Sequence, residues 1–294
     1  MRVSKADLNL ASVWEEVAGA VGDAPALTFD GQHTSWESFE ERSARVAGFL
    51  TDHGLGLNSK VALYCYNGPE YSEIQFGAFK ARSVPANVNY RYLGSELAHV
   101  LINSEAQAVF FDQTLVGPLE EIRNFCPALR VAVQVGGAEV PEWAVSYQEA
   151  VSATRMPVVE RSGEDLWFLY TGGTTGTPKA VMWSHRGLLS GMEATFHALG
   201  EQVPTSAREA GQIAKRVIGE EREIRQLCAA PLMHGTSGIT ALATHSHGGL
   251  VATMVSKNFN AGEVWDLVEA EGLTSVVIVG DAFARPMIEA LDRA

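Results

Sequence analysis

The chain has 294 residues, 46% of them hydrophobic, with 22 basic residues against 35 acidic ones and a net charge of −13. That length and apolar content suffice for one large domain or two, and the acidic balance argues against nucleic acid or an anionic membrane surface as the main partner. The three cysteines (Cys65, Cys126, Cys228) are scattered, odd in number and without metal-ligand spacing, which argues against a disulfide framework and fits a reducing compartment.

The N-terminal stretch lacks the continuous apolar core of a signal peptide, and no apolar run approaches the length of a membrane span. A cytoplasmic location is the expectation, with peripheral membrane contact and homo-oligomerisation left open. Leu10, Val13, Trp14 and Val17 fall on one helical face. Ala26–Phe29 reads as a strand, Asp30-Gly31 as a tight turn, and Gln32–Ser35 as a second strand. Trp36 opens a helix through Leu50 that buries Phe39, Val46, Phe49 and Leu50.

From Lys60 to Val135 strands and helices alternate. Strands are expected at 61–66, 84–88, 108–111 and 131–135, and helices at 69–81, 95–103 and 115–125, with Ser95 as an N-cap. Repeated βα units at this spacing imply a largely parallel sheet with helices on its faces. Asn87, Asn89 and Arg91 read as polar residues at a strand end with mainly structural roles. Residues 136–164 form a turn-rich connector, which places a subdomain boundary at 164/165.

The densest chemical signal follows. Tyr170–Lys179 reads YTGGTTGTPK, with three glycines, four threonines and one lysine in ten residues. The apolar flanks 166–169 and 180–183 read as short buried strands. Glycines let backbone amides converge into a nest for phosphate oxygens, threonine hydroxyls add donors, and Lys179 adds a movable positive charge. An ordinary surface hairpin is the plainer reading, but it does not call for so dense a run of donors ending in Pro-Lys. The loop is not a Walker A motif, because Lys179 follows Pro178, precedes Ala180, and leads into a strand.

Beyond it, a helix is expected from Ser184 to Leu199. The charged stretch 201–225, densest at Glu220–Glu223, reads as a solvated surface insertion that is helical in part. Gln226–Ala230 is a strand leading into Pro231-Leu-Met-His234-Gly235-Thr-Ser-Gly238. His245-Ser-His247-Gly-Gly invites a metal site or an oxyanion triplet. No Cys or acidic ligand completes the first, and no Gly-x-Ser-x-Gly elbow exists for the second. A helix end before a strand at 250–255 explains these residues. A helix over 259–269 with Val264, Leu267 and Val268 inward, a strand at 274–279 and a last helix complete the chain. Asp281 and Arg285 are expected to pair or cap.

The Tyr170–Lys179 loop resembles the phosphate loop of the adenylate-forming superfamily, which includes acyl-CoA synthetases. Gly172 stands where serine is usual and Ala180 where glycine is usual. The Thr-Gly-Gly-Thr-Thr-Gly form is similar to fatty-acid and steroid-side-chain enzymes of that group. Pro231–Gly238 resembles the family's Pro-Leu-Phe-His-x-x-Gly segment, and 77–92 and 34–39 are softer matches. The resemblance implies an α/β fold of layered αβαβα type with mostly parallel sheets flanked by helices. It implies phosphate contacts from Thr171, Gly172, Gly173, Thr174, Thr175, Gly176, Thr177 and Lys179, and an acyl-adenylate pocket lined by His234, Gly235 and Gly238. ATP, Mg2+ and coenzyme A are the implied cofactor and co-substrates, and a hydrophobic carboxylic acid the implied substrate.

The family's Thr-Glu and Thr-Gly-Asp segments and its C-terminal lid domain do not occur in these 294 residues. The expectation is therefore a partial N-terminal adenylation domain, 1–164 and 165–294, inactive alone. A non-catalytic nucleotide-binding or interaction module, and an adenylation domain that loads a carrier protein, remain as alternatives.

Overall fold

A computed structural model describes residues 8–172 and 177–292. In chain order its elements are α1 (Leu10–Val21), β1 (Pro25–Phe29), β2 (Gln32–Ser35), α2 (Trp36–Asp52), β3 (Lys60–Tyr64), α3 (Pro69–Lys80), β4 (Val84–Asn87), α4 (Gly94–Asn103), β5 (Ala106–Asp112), α5 (Val116–Ile122), β6 (Val131–Val135), β7 (Val145–Ser146) and α6 (Tyr147–Ala150). They continue with β8 (Leu166–Thr171), β9 (Lys179–Ser184), α7 (His185–Gly191), α8 (Glu193–Ala198), α9 (Ala207–Gly219), β10 (Arg225–Cys228), α10 (Gly235–Ser246), β11 (Leu250–Thr253), α11 (Ala261–Ala270), β12 (Ser275–Val277) and α12 (Asp281–Leu291). The alternation of strand and helix read from the sequence is present throughout.

Two compact units divide the chain, a central one (40–66 and 70–187) and a terminal one (1–39, 67–69 and 188–294). They interleave along the sequence, whereas the connector had suggested a single boundary at 164/165. The connector leads directly into β8, which pairs with β4 of the same unit.

The central unit holds a seven-stranded sheet in the order β7-β6-β5-β3-β4-β8-β9. All neighbours pair in parallel except β8 and β9, which run antiparallel. Its strands are short, continuous apolar runs because both faces of a parallel sheet are covered. Tyr64, Val109, Phe111, Leu97, Val100 and Leu119 form the heart of one face. Where α2 runs through this unit, Gly48 has no room for a side chain, because a Cβ there would collide with the carbonyl of Thr154.

The terminal unit holds a five-stranded sheet, β12-β10-β11-β1-β2, parallel except for the β1–β2 hairpin. Asp30 (φ 51°) and Gly31 (φ 67°) both take the left-handed conformation that a two-residue hairpin turn requires. Leu227, Leu250, Ala252, Val264 and Met287 pack beneath this sheet.

Four local expectations change. Ser95 does not cap α4: the helix begins at Gly94 (φ 48°), and Leu93 holds the cap position without a side-chain bond. The helix expected over 184–199 is two, α7 and α8, separated at Met192 just after Gly191, where helix propensity is low. Only the first flank of the threonine-glycine loop is mostly buried. β9 is an edge strand with Val181 and Met182 exposed, because nothing pairs with its outer side among the described residues.

The fourth is the charged stretch 201–225, which is helical in part as expected but is not a solvated insertion. Ser206 caps α9 by accepting from the Glu209 amide at 3.2 Å. The helix buries Ala210, Ile213, Ala214 and Val217. Gly211 permits a close approach to α1, since a Cβ there would stand 2.6 Å from the Glu16 carbonyl oxygen.

Candidate functional site

The threonine-glycine loop leaves β8 at Thr171 and returns at Lys179, and these two residues face each other across the antiparallel ladder. Because β4 and β8 are parallel, the loop springs from the carboxyl end of the sheet, where open α/β sheets place their ligands. Thr171, Gly172, Thr177 and Lys179 are all exposed, and no atom lies within 4 Å of a Cβ built on Gly172. Gly173, Thr174, Thr175 and Gly176 lie outside the described residues.

Both roots of the loop are tied to the neighbouring elements. At the entry, the fully buried Asn87 side chain at the end of β4 bonds both backbone groups of Tyr170. The Tyr170 N–H donates to Asn87 Oδ1 at 2.6 Å, and Asn87 Nδ2 donates to the Tyr170 carbonyl at 3.2 Å. The Tyr170 ring packs into the core face, and its hydroxyl donates to Asn103 Oδ1 at 2.8 Å. Burial pushes this phenol up to about 12, so it remains a neutral donor. At the exit, His99 Nε2 of α4 lies 3.0 Å from the Pro178 carbonyl oxygen.

An open cleft of about 540 Å³ runs beside these contacts, lined among others by Lys60, His99, Asn103, Tyr170, Pro178 and Lys179. At the opposite end of β8, Arg82 (φ 59°) forks onto Asp165 with bonds of 2.8, 3.0 and 3.3 Å. That contact raises the Arg82 guanidinium further above its ordinary value.

The histidine segment belongs to the terminal unit. Asn67 holds its approach: Asn67 Oδ1 accepts from the Leu232 amide at 2.8 Å, and Nδ2 reaches the carbonyls of Ala230 and Cys228 at 3.4 Å each. His234 occupies the N-cap position of α10 in extended conformation, and its side chain is exposed and does not cap. Gly235 opens the helix, and the buried Gly238 donates its N–H to the His234 carbonyl at 2.8 Å.

His245 and His247 lie at the end of α10, before β11, as the sequence had suggested, and both are fully buried. The His245 ring stands 5.1 Å from Trp14, 5.4 Å from Trp36 and 5.1 Å from Phe39. Burial pulls His245 down to about 3 and His247 down to about 4. Among the described residues no group of three or more His, Cys, Asp or Glu side chains is placed to hold a metal ion. Cys65, Cys126 and Cys228 are buried free thiols, and burial raises each above its ordinary value.

Asn67, His99 and Asn103 were not singled out in the sequence, and Asn87 was read only as a strand-end residue. Their partners lie 67 to 165 residues away, beyond the range of local pattern. A buried asparagine closing a strand in an apolar context was the one available signal.

The AMP-binding enzyme family matches residues 14–292, and the chain belongs to that family. It is 32% identical over 301 residues to the medium-chain acyl-CoA ligase Mig of Mycobacterium avium, covering 96% of this chain and 54% of that protein. It is 30% identical over 292 residues to a 3-oxocholest-4-en-26-oate–CoA ligase of Rhodococcus rhodochrous, covering 97% and 51%. The chain thus spans about half the length of the curated relatives it matches. In fold it is similar to a putative long-chain-fatty-acid CoA ligase from Rhodopseudomonas palustris, with TM-score 0.82, 19% identity, and coverage of 97% of this chain and 66% of that one. A Brucella canis acyl-CoA synthetase gives TM-score 0.77, 21% identity, and coverage of 97% and 49%. These likenesses fix the fold as α/β, with mostly parallel sheets flanked by helices.

Proposed function

We propose that the protein carries the nucleotide-binding half of an acid–thiol ligase that activates a hydrophobic carboxylic acid, of the fatty or steroid side-chain type, with ATP. The observation that carries this reading is the Thr171–Lys179 segment of the sequence, whose described roots leave the carboxyl end of a parallel sheet with Thr171, Gly172, Thr177 and Lys179 exposed. In the proposed reaction a carboxylate oxygen attacks the α-phosphorus of ATP. The bond from that phosphorus to the bridging oxygen breaks, pyrophosphate leaves, and an acyl-adenylate forms. The sulfur of coenzyme A then adds to the acyl carbon, AMP departs, and the thiol proton passes to solvent.

The contribution of this chain is positioning and charge neutralisation, which dominate phosphoryl chemistry. Thr171, Gly172, Thr177 and Lys179 hold the β- and γ-phosphates, together with Gly173, Thr174, Thr175 and Gly176 on the strength of the sequence. The exposed His234, with Gly235 and Gly238 at the start of α10, offers a flat wall and a hydrogen-bonding ring for the acyl carbonyl. Mg2+ is expected to accompany the nucleotide, but the described residues offer it no side-chain cluster, so no step is assigned to it.

The test is product analysis. The protein made from its complete reading frame is incubated with ATP, Mg2+, coenzyme A and a panel of fatty and steroidal acids, and thioesters are measured by mass spectrometry. Acyl-CoA that requires both ATP and acid supports the reading. ATP binding without any thioester points instead to a non-catalytic nucleotide module, and transfer only to a carrier-protein thiol points to a carrier-loading enzyme.

A further inference from the structure

We infer that His99 is a positioning residue for Lys179: from α4 it holds the peptide that joins Pro178 to Lys179 and so aims the lysine at bound phosphate. The inference rests on the reading of the loop as a phosphate site.

A carbonyl oxygen can only accept, so at 3.0 Å from the Pro178 oxygen His99 Nε2 carries the hydrogen and donates. The accepting carbonyl belongs to the same rigid plane as the Lys179 N–H. With the dihedrals of Lys179 held by its strand pairing to Thr171, fixing that plane sets the direction in which the Lys179 Cα–Cβ bond leaves the strand. Pro178 restricts the backbone on the other side of the same carbonyl. β9 is an edge strand, so on its outer side no described strand performs this task. Among the described residues the ladder partner of Lys179 is Thr171, itself at the mouth of the loop.

The entry of the loop is already fixed, by Asn87 on the backbone of Tyr170 and by Asn103 on its hydroxyl. His99 supplies the matching constraint at the exit. His99 and Asn103 are four residues apart on α4, so one helical face reaches both roots. A flexible lysine side chain loses affinity for each wrong direction it samples, and a preset backbone removes part of that cost. His99 touches no phosphate in this scheme and acts only through Lys179.

The experiment compares the wild-type chain with H99Q, H99N and H99A in titrations with ATP, inorganic tripolyphosphate and AMP, alongside melting temperatures without ligand. Glutamine places its amide nitrogen where His99 Nε2 stands, whereas asparagine stops short of it. Loss of one neutral hydrogen bond predicts a three- to tenfold weakening, roughly, for ATP and tripolyphosphate in H99N and H99A. AMP affinity should hold in all variants, and H99Q should match wild type. A merely structural histidine would lower the melting temperature and weaken the three ligands alike, which overturns the inference, as does wild-type ATP affinity in H99N. If H99A does not fold, the contrast between H99Q and H99N decides. Should the wild-type chain bind neither ATP nor tripolyphosphate, the loop reading itself falls and the inference with it. If the wild type binds and the variants do not differ, only the inference falls.

Discussion

Lys179 and Asn87 stand at the two ends of one loop, and their substitution should separate binding from stability. Lys179 is exposed, so Lys179→Ala should leave folding unchanged. It should weaken ATP binding roughly ten- to a hundredfold, the worth of one charged hydrogen bond to phosphate, as read by calorimetric titration. Asn87 is the opposite case. Asn87→Ala strands a buried N–H and a buried carbonyl of Tyr170, at about 1–3 kcal/mol each, so a loss of about 2–6 kcal/mol is expected in urea unfolding. The proposal for Lys179 comes from the sequence itself, because Gly, Thr and Pro-Lys in one run state their chemistry locally. Asn87 was visible only as a polar strand end, since its partner is 83 residues away.

Among the elements, α9 shows how a strong local signal hides a weaker one. The charges at Glu220–Glu223 dominate the stretch by eye, while the face that packs has only two large apolar residues, Ile213 and Val217, beside the small Ala210, Gly211 and Ala214. Two glycine substitutions in this one helix should therefore have opposite signs. Gly211→Ala gains about 1 kcal/mol of helix propensity, but its Cβ would sit 2.6 Å from the Glu16 backbone oxygen. Backbone cannot swing aside as a side chain can, so a net loss of roughly 1–3 kcal/mol is expected. Gly219→Ala, exposed and with no atom within 4 Å of its Cβ, should be neutral or stabilising by up to about 1 kcal/mol. Thermal melts of the two variants check the pair. The βα alternation and the Asp30-Gly31 turn were readable for the converse reason, since hydrophobic period and turn chemistry are short-range properties. The α7/α8 break and the start of α4 were not, because single helix boundaries depend on tertiary context.

For the whole molecule, three buried histidines set a dependence on pH. Burial pulls His245 down to about 3, His247 to about 4 and His185 to about 3, with Arg161 adding repulsion at His185. These folded values lie below the ordinary 6.5, so the unfolded chain binds protons that the folded chain refuses. Stability from these groups is complete above pH 6.5 and is lost as pH falls towards their folded values. At pH 5 the loss is about 2 kcal/mol for each histidine, enough to cancel a large share of a domain's stability. Urea unfolding followed by tryptophan fluorescence should show a clear drop in midpoint between pH 7.5 and pH 5. Trp14 and Trp36 flank His245 and would report it directly. An unchanged midpoint would mean that the imidazoles reach water when the protein is folded.

The interleaved units were the least legible feature at this scale. Parallel pairing of β1 with β11 joins residues more than two hundred positions apart, and no composition shift announces it. The proposed chemistry stands or falls on acyl-adenylate formation. The most direct measurement is ATP–pyrophosphate exchange by the protein made from its complete reading frame, with fatty and steroidal acids and with Lys179→Ala as control. The account predicts exchange that depends on a hydrophobic acid and collapses in the lysine variant. Absence of exchange with every acid while ATP still binds, or exchange undiminished in Lys179→Ala, would contradict it.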